Sequence, residues 1–360
     1  MVEYILTFSF LGFAAIWDSI KPKRENLTVI LQIYIVIILT ILAGLRFEVG
    51  FDYYGYQQLF YKTPEIINLL GSNLSELGIH GEYGYILLNS IIKSLGLNVT
   101  VVFLTVSFFT VMLTLISYRR ISKYYFVAIY FYVARFYFLL NMGQIRQALA
   151  MSILMYSIKY LAERNLIKYI FVVLLAGSFH SVSYLMIPIY FISKINIKDK
   201  HFKYFILAAM VIGSTGWFGI VVNNFGSYLP ESIVNYYYWN QYSYSLGLLD
   251  PVLLFRIGLL FILIKNRVTI NNNTNYSKEL VYLYFYGIIA FILLNESALI
   301  ATRIAVVFSI FEGILVASLI DVKNKLISFL LVFGVTTGLL IINFVRLSNT
   351  LTPYVSVLFK

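Results

Sequence analysis

What most constrains this chain is the recurrence of stretches of mostly apolar residues, each near the ~20 residues a helix needs to cross a bilayer. They lie near 3–20, 27–45, 98–117, 122–140, 145–163, 204–222, 249–265, 280–295, 302–320 and 326–345. Only 12% of the 360 residues are charged and 60% are hydrophobic, whereas a soluble domain carries roughly a quarter charged residues. A water-soluble enzyme and a disordered chain are both excluded, and the sequence predicts an all-α, polytopic membrane bundle of roughly 11–12 helices. The start, Met1-Val2-Glu3-Tyr4, lacks a basic leader region, so the first segment is expected to be a retained helix.

The charged residues set the expected orientation. Of 27 Lys and Arg, 18 fall in six loops: 21–26, 118–123, 159–168, 193–203, 265–279 and 321–325. Basic loops stay cytoplasmic, so the N-terminus is expected outside. The net charge of +11 then reflects membrane topology and not nucleic-acid binding. Loops 159–168 and 193–203 are both basic, so 166–192 must enter the membrane and return. Its 27 residues are too many for one helix and too few for two full crossings. A broken re-entrant hairpin turning at Ala176-Gly177-Ser178-Phe179-His180-Ser181 is expected, with His180 at its tip. Backbone of that kind is tolerated where it is buried in protein or lines a wet cavity. The whole of 1–360 reads as one transmembrane domain. It carries two long outward loops, 46–97 with short helices near 52–61 and 82–95, and the aromatic 223–248.

Several residue types stand out against this background. Arg46, Arg146 and Arg303 fall at outward helix ends, against the charge trend. Guanidinium groups bind phosphate oxygens in bidentate fashion, so a diphosphate would compensate them; interfacial snorkelling or pairing with Glu48 and Asp52 is the plainer alternative. Asp52 opens a short helix, as an N-cap would, with Tyr56 one turn on. Glu82, Tyr85, Asn89 and Lys93 share a helical stripe, either a solvated face or the wall of a cleft. A histidine at a helix break suits proton transfer, although a lone buried His is commonly structural. Arg256 and Glu312 both lie at mid-span, where an unpaired charge costs at least ~2.5–3.5 kcal/mol, and are expected to pair. Arg135 is expected nearer the outer side, facing a cavity. The tyrosines of 223–248 offer aromatic faces suited to sugar rings. There is no Cys and there are three His, and no phosphate-loop, zinc-protease, serine-hydrolase or paired-acid motif occurs. No metal site and no cofactor are expected.

The order Arg46…Gly50-x-Asp52…Tyr56…Phe60, then Glu82-x-Gly84-Tyr85…Leu88-Asn89, then Ile145-Arg146-Gln147-Ala148-Leu149-Ala150, then His180-x-x-Ser183-Tyr184…Pro188, resembles the EpsG family. These are Wzy-like polymerases of bacterial surface glycans such as O-antigen, capsule or exopolysaccharide. The match covers about 40–195, and Arg303 resembles a further family arginine. The resemblance implies a bacterial inner-membrane glycosyltransferase on a GT-C-like helical scaffold. It would join polyprenyl-diphosphate-linked oligosaccharides, as both donor and acceptor, by metal-independent inverting transfer on the outer face. Glu82, Asp52 and His180 are then the catalytic candidates, with Glu82 first. Arg46, Arg146, Arg303, Arg135, Tyr56, Tyr85 and Gln147 are the substrate-binding candidates. Membrane lipid, a chain-length regulator and a flippase are the expected partners. A ligase moving finished glycan would share these features; a lipid-linked-sugar transporter should instead show repeats and paired broken helices.

Overall fold

The computed structural model describes residues 2–20, 25–69, 78–238, 245–351 and 353–360. Parts of the basic 21–26 loop and of the outward loops 46–97 and 223–248, among them Lys21, Lys23, Arg24, Glu76, Trp239, Tyr242 and Tyr244, lie outside them. Among the described residues the chain is helical, without a β-strand beyond two isolated bridges. The principal helices are α1 (Val2–Ile20), α2 (Glu25–Gly44), α3 (Tyr53–Lys62), α4 (Tyr83–Ser94), α5 (Val99–Ile121), α6 (Tyr125–Tyr132), α7 (Ile145–Leu154), α8 (Leu166–Gly177), α9 (Asp199–Gly213), α10 (Trp217–Phe225), α11 (Pro251–Lys265), α12 (Ser277–Leu293), α13 (Ala298–Ser309), α14 (Glu312–Ala317) and α15 (Lys325–Leu351).

The bundle presents apolar side chains outward, which only lipid tolerates over so large an area. Ile5, Leu6 and Phe13 on α1 and Leu330, Leu331, Ile341 and Ile342 on α15 are all exposed. Among the described residues three helices, Asn26–Gly44, Val99–Ile121 and Lys325–Leu351, are individually long and apolar enough to cross a bilayer. Two bent pairs raise this to five: Asp199–Gly213 with Trp217–Tyr228 at 55°, and Ala298–Ser309 with Glu312–Asp321 at 52°. Length and composition alone therefore do not reach the expected count of roughly 11–12, because many apolar segments fold as shorter or interrupted helices. Apolar content reveals a segment's depth, but not where Gly213-Ser214-Thr215-Gly216 will break it.

Ion pairs and hydrogen bonds gather the loops into two ends. At the basic end, Lys123 pairs with Asp321 at 2.8 Å and Arg267 with Asp199 at 2.8 Å, and Asn273 Nδ2 donates to the Ser318 carbonyl. Asp18 accepts from Phe126 N–H at 2.9 Å and so caps α6. At the opposite end the chain's C-terminal segment closes on the exit of α2: Phe47 N–H donates to the Val355 carbonyl and Gly50 N–H to that of Thr350. Gly50 has φ +97°, and a Cβ there would lie 1.9 Å from the Met142 carbonyl oxygen. This left-handed backbone and close approach both demand glycine. Gly50→Ala should cost roughly 3 kcal/mol, read as a lowered thermal unfolding midpoint in detergent; an unchanged midpoint would show that the turn is not held in this way.

The segment 166–192 folds as a broken hairpin. Helix α8 ends at Gly177, Ser178–His180 form the break, and the return leg is a 3₁₀ helix, Ser181–Met186, followed by Ile189–Ile192. The return leg is thus tighter and more interrupted than the α-helical entry leg.

The expected pairing of Arg256 with Glu312 does not form. Arg256 donates from Nη2 to Ser309 Oγ at 3.1 Å and stacks over Phe291, 5.2 Å from the ring centroid. Glu312 is fully buried and neither of its carboxylate oxygens makes a hydrogen bond. The bend after Ser309 breaks the helix between that residue and Glu312. Arg256 thus meets a hydroxyl one turn earlier, while the field of Glu312 falls on Arg135 and Tyr284.

Candidate active site

Five separate segments converge where α3, α4, α7, α13 and the hairpin tip meet. Helix α4 docks first. Gly84 N–H donates to the Ser178 carbonyl at 2.7 Å, and a Cβ on Gly84 would stand 2.5 Å from Ser178 Oγ and 2.7 Å from Ser178 O. The glycine therefore lets the start of α4 lie directly on the hairpin break. This contact delivers Glu82 to the tip. One carboxylate oxygen accepts from Ser181 N–H at 3.1 Å and from Ser181 Oγ at 3.4 Å; the other meets Arg146 Nη1 at 2.6 Å.

Glu82 occupies the N-cap position of α4 yet makes no side-chain cap, because its carboxylate is turned toward α7 and the hairpin. Burial alone would raise its pKa. The Arg146 guanidinium, His180 and the Ser181 N–H outweigh burial and hold it below the ordinary carboxylate value. Asp52 also sits at an N-cap position without capping. It is half-buried and faces the positive fields of Arg303 and Arg146, but burial dominates and raises its pKa. Two carboxylates at one site are thus pushed in opposite directions, the arrangement that separates acid and base roles.

His180 occupies the hairpin break. Its Nδ1 accepts from Val182 N–H at 3.4 Å, which assigns the remaining proton to Nε2. Burial, opposed by Glu82 and reinforced by Arg146 and Arg303, pushes its pKa below the ordinary histidine value. The imidazole is neutral at physiological pH and offers an N–H donor.

Behind Arg146 stand Tyr56 and Tyr85, packed edge to face at 5.7 Å, with the guanidinium carbon 5.8 and 6.0 Å from their ring centroids. Cation–π attraction fixes the arginine against this wall. Arg303 comes from α13. The buried Gln147 donates to its backbone carbonyl at 3.0 Å and so ties α7 to α13. The Arg303 side chain lies over Tyr236, 4.7 Å from the centroid. The Nε atoms of Arg146 and Arg303 have no hydrogen-bond partner among the described residues. Among the described residues no three His, Asp or Glu side chains form a metal-holding group.

Two expected binding residues lie elsewhere. Arg46 is 1% exposed and folds back on its own helix end, donating from Nε to Val49 O at 3.1 Å and from Nη1 to Ala43 O, with Phe103 beneath it at 4.5 Å. It lies within electrostatic reach of Tyr56 and Tyr85, which are buried as it is. Arg135 lines a separate cavity. The Glu82–Lys93 stripe is not a solvated face. Asn89 bonds the Tyr85 carbonyl, and Lys93 Nζ binds the carbonyls of Tyr61 at 2.8 Å and Thr63 at 2.7 Å, closing the end of α3. Sequence reasoning missed Ser181, whose contacts to Glu82 depend on the hairpin folding first. The Gly84–Ser178 contact was signalled by glycine alone.

The EpsG family model matches residues 29–356. No curated protein and no solved structure matches the chain. The chain belongs to the EpsG family.

Proposed function

We propose that this EpsG-family membrane protein is a polysaccharide polymerase that joins polyprenyl-diphosphate-linked repeat units on the outer face of the bacterial cytoplasmic membrane. The observation that carries this reading is the convergence of Asp52, Glu82, Arg146, His180 and Arg303, from five elements of the chain, at one end of a lipid-facing bundle. Family membership and the basic loops at the opposite end support the polymerase class and the outward orientation. The scaffold is taken to be GT-C-like and one transmembrane domain, with 46–97 and 223–248 as outward loops; a flippase supplies its substrate and a chain-length regulator acts on its product.

In this reading Asp52 is the base. Its side chain makes no cap hydrogen bond to α3, and its raised pKa brings it toward the working range. The acceptor hydroxyl oxygen attacks the anomeric carbon while its proton passes to Asp52. The bond to the diphosphate oxygen breaks on the opposite face, inverting the centre. The departing diphosphate takes the electron pair and is met by Arg146, Arg303 and the His180 Nε2–H. Preorganised donors aimed at developing charge supply a large share of catalysis, and the energy resides in the donor's own phosphate bond. Glu82, already occupied by Arg146 and Ser181, acts as a positioning residue. The partly exposed Tyr236 offers a ring face to a sugar, while the buried Tyr56 and Tyr85 back Arg146 from behind.

A strain lacking this chain should accumulate lipid-linked single repeat units and make no long glycan. Long glycan of normal length in that strain would overturn the reading. Gly84→Ala should slow elongation on the order of 10²-fold by lifting α4 off the hairpin and misplacing Glu82 and Arg146, measured as the rate of unit addition in vesicles. An unaltered rate would remove the hairpin from the account.

A further inference from the structure

We infer that the cleft between α11 and α15 is a second binding site for a lipid with a diphosphate head and a long isoprenoid tail, distinct from the Arg146–Glu82 cluster. The cleft holds two hollows in series. One, of about 440 Å³, is lined by Arg135, Arg256 and Arg346 together with Ser245, Asp250 and Asn343. The next, of about 420 Å³, is apolar apart from Ser328, and is lined by Phe255, Gly258 and Ile262 on α11 and by Leu331 and Val335 on α15. Both hollows share the same two helices. From Arg346 to Ser328 along α15 is ~27 Å at 1.5 Å per residue, close to the ~30 Å depth of a bilayer's hydrocarbon core. The cationic hollow lies toward the end that carries Asp52 and Arg303, and the apolar one toward the basic end.

The arginine hollow has the features of a ligand site. Arg256 is 4% exposed, and its Nε and Nη1 have no partner. Arg135 Nε is likewise unsatisfied, and this arginine projects from a π-helical interruption, Val133–Tyr137, within Tyr125–Leu140. Such widened turns recur at functional sites. Of the nearby acids, Asp250 is committed to the Val252 and Leu253 N–H groups that it caps. The buried Glu312 directs its field at Arg135, so three arginines stand against two acids and the hollow keeps an excess of positive charge.

The apolar hollow argues for the tail. A Cβ at Gly258, which lines this hollow, would meet nothing within 4 Å, so the cleft has room beside α11. Cationic and apolar hollows in one line match a single amphiphile better than a free anion or a bilayer lipid with a short glycerol head. Thr302 and Val306 of α13 line the arginine hollow, while Arg303 on the same helix serves the catalytic cluster. The two anion sites therefore lie on different faces of α13. This inference rests on the polymerase reading, in which donor and acceptor are both lipid diphosphates and need separate berths.

The test is native mass spectrometry of the full chain in nanodiscs with a sugar-free C55 polyprenyl diphosphate. Two lipids per chain are expected. Arg346→Ala and, separately, Gly258→Phe should each weaken one of the two at least tenfold while Arg146→Ala weakens the other. A C10 prenyl diphosphate should lose the α11–α15 site at least tenfold. Gly258→Phe has open space to enter, so loss of folding does not confound it. A single lipid in the wild type, binding unmoved by both cleft variants, or equal displacement by phosphatidylglycerol would overturn the inference. Glycan elongation is scored in parallel: elongation with one lipid site sinks the second site alone, whereas two sites without elongation sink the polymerase reading and leave the cleft standing.

Discussion

Replacing Arg146 with alanine should reduce glycan elongation by about 10²–10³-fold, the range for deleting one preorganised donor to developing charge. Arg146 pairs with Glu82 at 2.6 Å and leaves its Nε unpaired, so it is held firmly yet keeps capacity for a ligand. Removing it strips positive charge from the leaving group and frees Glu82. An unpaired, largely buried carboxylate is destabilising, which could imitate a catalytic defect. The double variant Arg146→Ala/Glu82→Gln separates the two effects. It should recover thermal stability lost in the single variant and stay inactive. Arg146→Lys keeps the charge but loses the planar fork, and should fall between wild type and alanine. Full activity in the double variant would show that Arg146 serves only to satisfy Glu82.

Asp52→Asn should lower the rate of elongation by about 10²–10⁴-fold, the usual contribution of a positioned general base, with no loss of stability. The sign follows from the direction of the pKa shift. Burial raises the Asp52 carboxyl above its ordinary 3.8, so the folded state disfavours its charge near neutral pH. The asparagine removes that cost, and since Asp52 caps nothing through its side chain, no hydrogen bond is lost in exchange. The unfolding midpoint at pH 7 should stay level or rise. The acidic limb of the wild-type rate profile should fall at a pH above the ordinary aspartate value, because the base must be ionised to accept a proton, and this limb should vanish in the variant. A variant that is destabilised yet active would return Asp52 to an ordinary helix-capping role.

The membrane class and the hairpin were legible in the sequence for clear reasons. Lipid demands long apolar segments, and two basic loops flanking 166–192 leave room only for an entry and return. The break falls at Ser178–His180, within the expected turn, because Gly177 and the polar residues after it end the helix. What one sequence does not carry is azimuth. Arg256 and Glu312 have matching depth, but a 52° bend between Ser309 and Glu312 sends the two side chains to different neighbours. Likewise Lys93 falls in line with Glu82 on a helix, yet reaches back to the last carbonyls of α3. Arg46 and Arg146 look alike as arginines at helix ends. The first folds back onto the Ala43 carbonyl and that of Val49 in the following turn, through Nη1 and Nε, and the second meets Glu82 only because Gly84 lets α4 settle on the hairpin.

The most direct measurement uses the purified chain in lipid with its lipid-linked repeat unit alone, EDTA present, and the glycan products resolved by size. The account predicts a ladder of successively longer glycans that persists in EDTA and is lost in Arg146→Ala and Asp52→Asn. Intact substrate and folded protein without a ladder, or a ladder that both variants make at the wild-type rate, would contradict it.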